Sequence, residues 1–408
     1  MNIRKLEFEY SSIKSHEENM PLENNSINEK YDKGYSRVVT ENGSYKVSLI
    51  KSIFEQPNYN LHPDFQRRIT WNNQKRSKLI ESLIINIPIP PIFLYEYDYD
   101  KYEIMDGLQR ISAIISFYND EFKLSGLSEW SELNGLKYSK LPDKIKEGID
   151  RRQIQVITLL KESAASDQRA DTIKRLVFER LNTGGVKLQP QEIRNAIFNG
   201  PGNKMCMDLS ENELFRLLWE IPVSDAILEE LDDIDYADYP TITDDEKLIK
   251  KLERHTLYKR MYDVELVLRF FAIRYLNEFD SSLSSFLDDA LVLLNKYDES
   301  QIDELKNFFV DTIQKAYDLF GDKAFKYYDG EKWSSPAKMI YDPMILVLSQ
   351  EDITVSGRKK EENIRNLEAF YAENTRENNL KFDGKHQSKE DIMERANLLD
   401  DFIRSKCI

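Results

Sequence analysis

The chain has 408 residues, carries a formal net charge of -15, and contains 41% hydrophobic and 11% aromatic residues. This length predicts two or three domains, and the aromatic content excludes global disorder. No apolar run approaches the roughly 20 residues that a membrane-spanning helix needs, and the N-terminus lacks the apolar core of a secretory signal. We therefore expect a soluble, cytoplasmic protein with no membrane partner.

Residues that form disulfides or bind metals are scarce. The two cysteines, Cys206 and Cys407, lie far apart, and the four histidines are scattered singly. Neither a disulfide framework nor a zinc site is predicted, and a one-chain His-Asn-His nuclease is disfavoured. The negative net charge repels nucleic-acid backbones at long range, so any DNA contact must be local.

The first part of the chain is interpreted from its polarity and prolines. Residues 1–42 are polar without sustained periodicity and are predicted to be a flexible leader. A short apolar helix is expected around Ser48–Phe54, followed by extended backbone at Tyr59–Arg67, where a proline disfavours helix. An amphipathic helix of roughly 13 residues comes next, capped near Asn72 and ended by the proline-rich run Ile87–Pro91.

The next part of the chain mixes strands and helices. Two short strands are predicted at Ile92–Tyr95 and Tyr102–Met105, and the second one leads through a tight turn directly into a helix with apolar residues at helical spacing. Alternation predicts a further strand at Gln153–Leu159. A helix over Asp171–Leu181 ends in a polar glycine turn, and another is expected to begin near Gln189, because the proline that follows suits a first helical turn.

Beyond about residue 200, strand signals fade and helical periodicity dominates. The sequence therefore predicts the α+β class, with an α/β core over residues 43–200 and a mostly helical domain over 201–408. An acidic run between positions 228 and 246 is interpreted as a solvated linker or surface rather than a metal-binding loop. The expected C-terminal helices are Leu214–Trp219, Glu246–Glu278, Ser282–Asn295, Asp303–Phe320, Pro336–Leu348 and Glu361–Glu373.

The strand–turn–helix segment Asp106-Gly107-Leu108-Gln109-Arg110 offers an anion site. The first amide hydrogens of a helix have no intrahelical partner and carry the positive end of the helix dipole. Gly107 allows close backbone approach, Gln109 adds an amide, and Arg110 supplies a planar fork for phosphate oxygens. Asp106 is assigned to a metal ion, a ribose hydroxyl or helix capping, and capping alone is the purely structural alternative.

Two further segments add polar and aromatic groups. Phe65–Arg67 with Trp71 presents an amide, a guanidinium and an aromatic face, although an anchored arginine and a core tryptophan explain it equally well. Phe178–Gly185 ends a helix in a polar glycine turn, which a plain helix cap explains only in part. A basic island consists of Arg67, Arg68, Lys75, Arg76 and Lys78. It is interpreted either as a local DNA contact or as a solvated helix face.

These motifs, in this order, resemble those of the GmrSD N-terminal domain family. That family is the nucleotide-dependent part of a modification-dependent restriction system, and its core fold is similar to that of ParB and sulfiredoxin. The resemblance spans roughly residues 45–200. It rests on four stretches, which are Pro63–Arg67 with Trp71, Ile87–Leu94, Asp106–Arg110 and Phe178–Gly185.

The resemblance implies nucleoside triphosphate binding and Mg²⁺-dependent hydrolysis in a prokaryotic anti-phage, restriction-type defence system. Leu108 stands where the family usually has glutamine, so binding is expected to survive better than catalysis. The implied catalytic residues are Asp106, which also holds Mg²⁺, together with Gln109, Arg110 and Glu179. The implied nucleotide-binding residues are Phe65, Gln66, Arg67, Trp71, Gly107, Leu108, Arg180, Asn182, Thr183 and Gly184.

In relatives with several domains, a C-terminal histidine-containing nuclease domain cuts the DNA. Here the last third of the chain offers only His386, so we expect no built-in nuclease and a separate nuclease partner. Three functions stay open: an NTPase, a non-hydrolysing nucleotide switch for that partner, and a DNA-recognition module. The oligomeric state, including a homo-oligomer, is also left open.

Overall fold

The computed structural model divides the chain into two compact units, whose boundary falls between Ile197 and Phe198. Among the described residues, no helix is both long and apolar enough to cross a bilayer. The described residues are 38–60, 71–163, 167–181, 188–224, 245–278, 282–355, 359–375, 382 and 388–408.

The N-terminal unit is built on a mixed five-stranded sheet with the order β1-β5-β3-β4-β2. β3 and β4 form an antiparallel hairpin, β5 runs parallel to β3, and β2 runs parallel to β4. β1 pairs antiparallel with β5 at the edge. The strands are β1 (Thr40–Lys46), β2 (Tyr59–Asn60), β3 (Ile92–Asp98), β4 (Lys101–Asp106) and β5 (Gln153–Leu159).

Side chains alternate between the two faces of the sheet along each strand, so apolar groups lie on both faces. Helices cover both of these faces. Ile92 and Leu94 of β3 lie in a larger apolar cluster with α1 to α4, and Tyr95 lies in a smaller cluster with α5 and α6. The helices are α1 (Ile50–Phe54), α2 (Asn73–Ile85), α3 (Leu108–Tyr118), α4 (Asp143–Asp150), α5 (Asp167–Leu181) and α6 (Pro190–Ile197).

Helix α2 begins and ends where its sequence predicts. The Asn72 side chain accepts a hydrogen bond from the Lys75 N–H at 2.9 Å and so caps the first turn. Asn86 ends the helix in the left-handed conformation, with a φ of 61°. The predicted helix of roughly 13 residues between the cap and the proline run is confirmed.

The described residues from Phe198 onward are mostly helical, and the predicted α+β class is confirmed. Arg269 of α11 and Asp342 of α14 form a buried ion pair, with Nε and Oδ1 3.0 Å apart. The helices are α7 (Pro201–Leu209), α8 (Glu213–Leu218), α9 (Asp245–Leu252), α10 (Thr256–Lys259), α11 (Tyr262–Ala272), α12 (Leu283–Leu294), α13 (Glu299–Phe320), α14 (Lys338–Leu348), α15 (Lys360–Thr375) and α16 (Lys389–Lys406).

Strand β1 and the segment before α11 differ from the sequence-based expectation. Strand β1 was not predicted, and its residues Thr40 to Asn42 fall in the segment assigned to the leader. The side chains of β1 are almost all exposed, so the strand is formed by backbone pairing with β5 and shows no apolar pattern. A single helix over Glu246–Glu278 is wrong, since Met261, at a φ of 55°, interrupts the segment before α11.

Candidate functional site

The turn between β4 and α3 requires glycine for two reasons. β4 ends at Asp106, α3 begins at Leu108, and Gly107 between them has a φ of +108°, where residues with a Cβ are strained. A Cβ on Gly107 would also lie 3.0 Å from Cγ1 of Ile92 and 3.2 Å from Nη2 of Arg110. The backbone of the turn therefore lies directly against the start of the neighbouring strand β3.

The N-terminus of α3 is uncapped by any side chain of the described residues. The Ile111 N–H, which donates to the Gly107 carbonyl at 2.9 Å, is the first amide bonded within the helix. The three amides before it have no intrahelical acceptor and carry the positive end of the helix dipole. An anion at this end of the 11-residue helix is therefore favoured.

The Arg110 guanidinium is engaged within the motif itself. Its Nη2 donates to Oδ2 of Asp106 at 2.7 Å and to the carbonyl of Pro91 at 3.0 Å. The Arg110 side chain is 12% exposed and that of Asp106 is 41% exposed. The Nε of Arg110 is buried and has no hydrogen-bond partner within the described structure. The guanidinium is thus fixed at one nitrogen and leaves another donor unused.

Gln109 connects the turn to the segment that precedes α2. Its Oε1 accepts a hydrogen bond from the backbone N–H of Trp71 at 2.9 Å. The Trp71 side chain is partly buried and packs against the larger apolar cluster. Leu108 is 7% exposed, so its side chain belongs to the interior of the unit. The structure therefore brings Trp71 to the motif and turns Leu108 away from solvent.

Helix α5 is fastened to the hairpin that ends in the motif. Phe178 shares the smaller apolar cluster with Met105, the residue directly before Asp106. Lys174 pairs with Glu103 of β4, with Nζ and Oε1 2.7 Å apart, and its Nζ lies 4.3 Å from the centre of the Tyr95 ring. Helix α5, which comes directly before Asn182 in the sequence, therefore packs on β4, the strand that ends at Asp106.

Several predicted site residues lie outside the part of the chain that the structure describes. Arg180 is described and exposed, whereas Glu179 is described in its backbone only. His386 and the acidic run up to residue 244 also lie outside. The nucleotide-binding predictions that fall outside are Phe65, Gln66, Arg67, Asn182, Thr183 and Gly184.

Comparison with known families assigns the segment that contains this turn. Residues 50–199 match the family model of the GmrSD restriction endonuclease, N-terminal domain. The chain carries a GmrSD N-terminal domain. The predicted resemblance is confirmed, and the domain associates the chain with restriction and defence systems. Searches of curated proteins and of solved structures each found no match, so the similarity to ParB and sulfiredoxin stays a prediction.

The turn of the GmrSD N-terminal domain offers a metal ion few protein ligands. Among the described residues, no group of three or more His, Cys, Asp or Glu side chains could hold a metal ion. The turn itself contributes one carboxylate, Asp106, which is partly exposed. Mg²⁺ is usually held by one or two carboxylates together with substrate phosphates and water. A single carboxylate therefore fits a Mg²⁺ ion whose other ligands are phosphate oxygens and water.

Sequence reasoning missed residues that hold the motif in place. It interpreted Ile87–Pro91 as the end of a helix and as part of a stretch that carries the resemblance, and it assigned this run no contact with the turn. In the structure, the carbonyl of Pro91 anchors Arg110, and Ile92 lies behind Gly107. The position of this run, directly before a buried strand, was the signal that could have indicated these contacts. A second missed feature is a set of buried polar side chains on α6, which comprises Gln191, Glu192, Arg194 and Asn195.

The described part of the basic island lies on α2 of the GmrSD N-terminal domain. Lys75 and Lys78 are exposed, and the guanidinium of Arg76 lies 5.9 Å from the centre of the Phe122 ring. Arg67 and Arg68 lie outside the described residues. Two exposed lysines on one helix are typical of an ordinary solvated surface.

Proposed function

We propose that the GmrSD N-terminal domain binds a Mg²⁺-nucleoside triphosphate at the turn Asp106–Arg110 and hydrolyses it, as the nucleotide-dependent component of a restriction-type defence system. The observation that carries this proposal is the geometry of the turn. An uncapped helix N-terminus, a glycine packed against β3, and an adjacent carboxylate and guanidinium occupy one short segment. That segment lies within the family match.

Each group has a role that follows from its chemistry. The free amides of α3 and the unused donor of Arg110 bind phosphate oxygens, and fixed donors of this kind stabilise negative charge that develops during phosphoryl transfer. Asp106 is the proposed protein ligand of the cation, which when bound neutralises charge on the phosphates. Gln109 fixes Trp71 beside the turn, and Glu179, on the helix next to β4, is assigned to orient water.

A specific observation favours binding without turnover as a second candidate. Leu108 replaces the glutamine that the resemblance leads us to expect, and its side chain is buried. The middle position of the motif therefore offers a ligand no side-chain donor or acceptor. In this alternative, the occupied turn acts as a switch for a partner nuclease, and the backbone amides retain their phosphate contacts.

The test is phosphate release from each of the four nucleoside triphosphates with Mg²⁺, together with direct binding, for the full chain and Arg110→Ala. Loss of one guanidinium–phosphate contact should cost roughly 1.5 to 3 kcal/mol, which corresponds to about 10- to 150-fold weaker binding. Binding with no phosphate release selects the switch. Equal binding by the variant and the unchanged chain refutes the assignment of the site.

Arg152→Ala is the matched control for this experiment. Arg152 also anchors backbone, since its guanidinium donates to the carbonyls of Leu83 and Ile84 at 3.1 and 3.2 Å. Its removal disturbs packing at the end of α2 and leaves the turn unchanged. We therefore expect Arg152→Ala to lower the stability of the unit and to retain nucleotide affinity.

A further inference from the structure

We infer that Asp106 acts as an electrostatic latch: its carboxylate pairs with the Arg110 guanidinium and repels phosphate. This domain therefore takes a nucleoside triphosphate only together with a divalent cation. The inference rests on the proposed function and adds the rule by which the site admits its ligand. Oδ2 of Asp106 lies 2.7 Å from Nη2 of Arg110.

The two partners of this ion pair are held unequally. Arg110 is 12% exposed and has a second anchor, the Pro91 carbonyl at 3.0 Å, which lies at the start of β3. The Asp106 side chain is 41% exposed, and the helix start beside it has no side-chain cap. Consequently Asp106 can rotate away while the guanidinium stays in place.

Both carboxylates of β4 are paired with a basic side chain. Asp106 neutralises Arg110, and on the same strand Glu103 is paired with Lys174. A phosphate that contacts Arg110 without a cation would lie beside the Asp106 carboxylate, and like charges at such short range disfavour binding strongly. The helix amides carry only about half an elementary charge in total and cannot offset this repulsion.

Asp106 loses its repulsive effect when a cation accompanies the phosphates. The carboxylate then turns from Arg110 to the cation, and the Arg110 donors become available to phosphate oxygens. The buried Nε of Arg110, which has no acceptor within the described structure, gains one in this arrangement. The ion pair between Asp106 and Arg110 is therefore exchanged for two ionic contacts with the cation-bound ligand.

The experiment measures binding of the β,γ-imido analogues of all four nucleoside triphosphates to the full chain by calorimetry, with Mg²⁺ or with EDTA. The unchanged chain should bind at least about tenfold more weakly in EDTA. Asp106→Asn, which keeps the shape and removes the charge, should bind in EDTA about tenfold more tightly than the unchanged chain and lose most of its dependence on Mg²⁺. Asp106→Ala serves as a second variant if the asparagine variant is poorly folded.

Asp98→Asn is the charge-matched control. Asp98 lies on the same hairpin and pairs with Lys101 and Lys161 at 3.1 and 3.0 Å. Its substitution changes the net charge equally and leaves the turn alone, so it should behave like the unchanged chain. The latch is refuted if the unchanged chain binds equally in EDTA, if Asp106→Asn gains nothing in EDTA, or if Asp98→Asn gains as much. Absence of binding by all variants in both conditions refutes the proposed function itself.

Discussion

Gly107 provides a graded test of how the turn is built. Alanine at this position meets two separate obstacles: a φ of +108° and a Cβ placed 3.0 Å from the Ile92 side chain and 3.3 Å from its Cα. The left-handed backbone costs about 1 to 2 kcal/mol, and forced overpacking against a strand costs about 1 to 3 kcal/mol more. We expect Gly107→Ala to lower the free energy of unfolding of the N-terminal unit by about 2 to 5 kcal/mol.

Two other glycines separate these contributions. Gly135 has a φ of +88°, and a Cβ added there would have nothing within 4 Å, so Gly135→Ala should show the backbone cost of about 1 to 2 kcal/mol alone. Gly43, on the edge strand β1, has neither obstacle, so Gly43→Ala should change the free energy by less than about 1 kcal/mol.

Hydrogen exchange measured by mass spectrometry, on peptides from β3 and α3 in increasing urea, reports the free energy of this unit separately from that of the helical unit. The expected order of loss, from smallest to largest, is Gly43, then Gly135, then Gly107. If Gly107→Ala costs no more than Gly135→Ala, the close approach to Ile92 does not matter. If it costs no more than Gly43→Ala, the described geometry of the turn is wrong.

Two further predictions concern the packing of this unit. Lys174→Met should lower the stability of α5 by about 1 to 3 kcal/mol, because Glu103 would be left unpaired and largely buried. The loss should be seen as faster hydrogen exchange in that helix. Lys101→Met, which breaks an exposed pair with Asp98, should leave the exchange rates unchanged. Burial and a hydrogen bond to Asp150 raise the pKa of Tyr138 to about 12 from 10.0. The folded state holds this proton more tightly than the unfolded state, so the contribution of Tyr138 to stability is complete below pH 10 and is lost as the pH rises towards 12. The urea midpoint of unfolding should therefore fall less steeply with pH in Tyr138→Phe than in the unchanged chain. Equal slopes contradict the assignment.

Local signals predicted the elements that build the turn. Asn72 and the proline run bound α2, the alternation over Gln153–Leu159 indicated β5, and a glycine between a strand and a helical pattern placed the start of α3. These features depend on neighbours a few residues away, so the sequence alone contains them. The same reasoning missed β1, because an exposed edge strand is held by its partner's backbone and shows no apolar alternation.

Contacts between residues far apart in the sequence could not be predicted from local sequence patterns. No local pattern indicates that Arg110 meets the carbonyl of Pro91, or that Gln109 accepts from Trp71, because these contacts depend on how the strands are arranged. Helix α6 shows the same limit: the polarity of Arg194 and Gln191 suggests that they face water, yet both are buried and bonded to each other at 3.2 Å.

The bond between Gln109 and the Trp71 backbone joins residues 38 positions apart. The chain between them contains all of α2, β3 and β4, so this contact closes a loop that encloses the central hairpin of the sheet. Closing such a loop costs conformational entropy that only the completed packing of these elements recovers. A short peptide of the motif can form a helical turn, but the assembled turn exists only after the unit has folded, and its contacts therefore report the native state of the whole N-terminal unit.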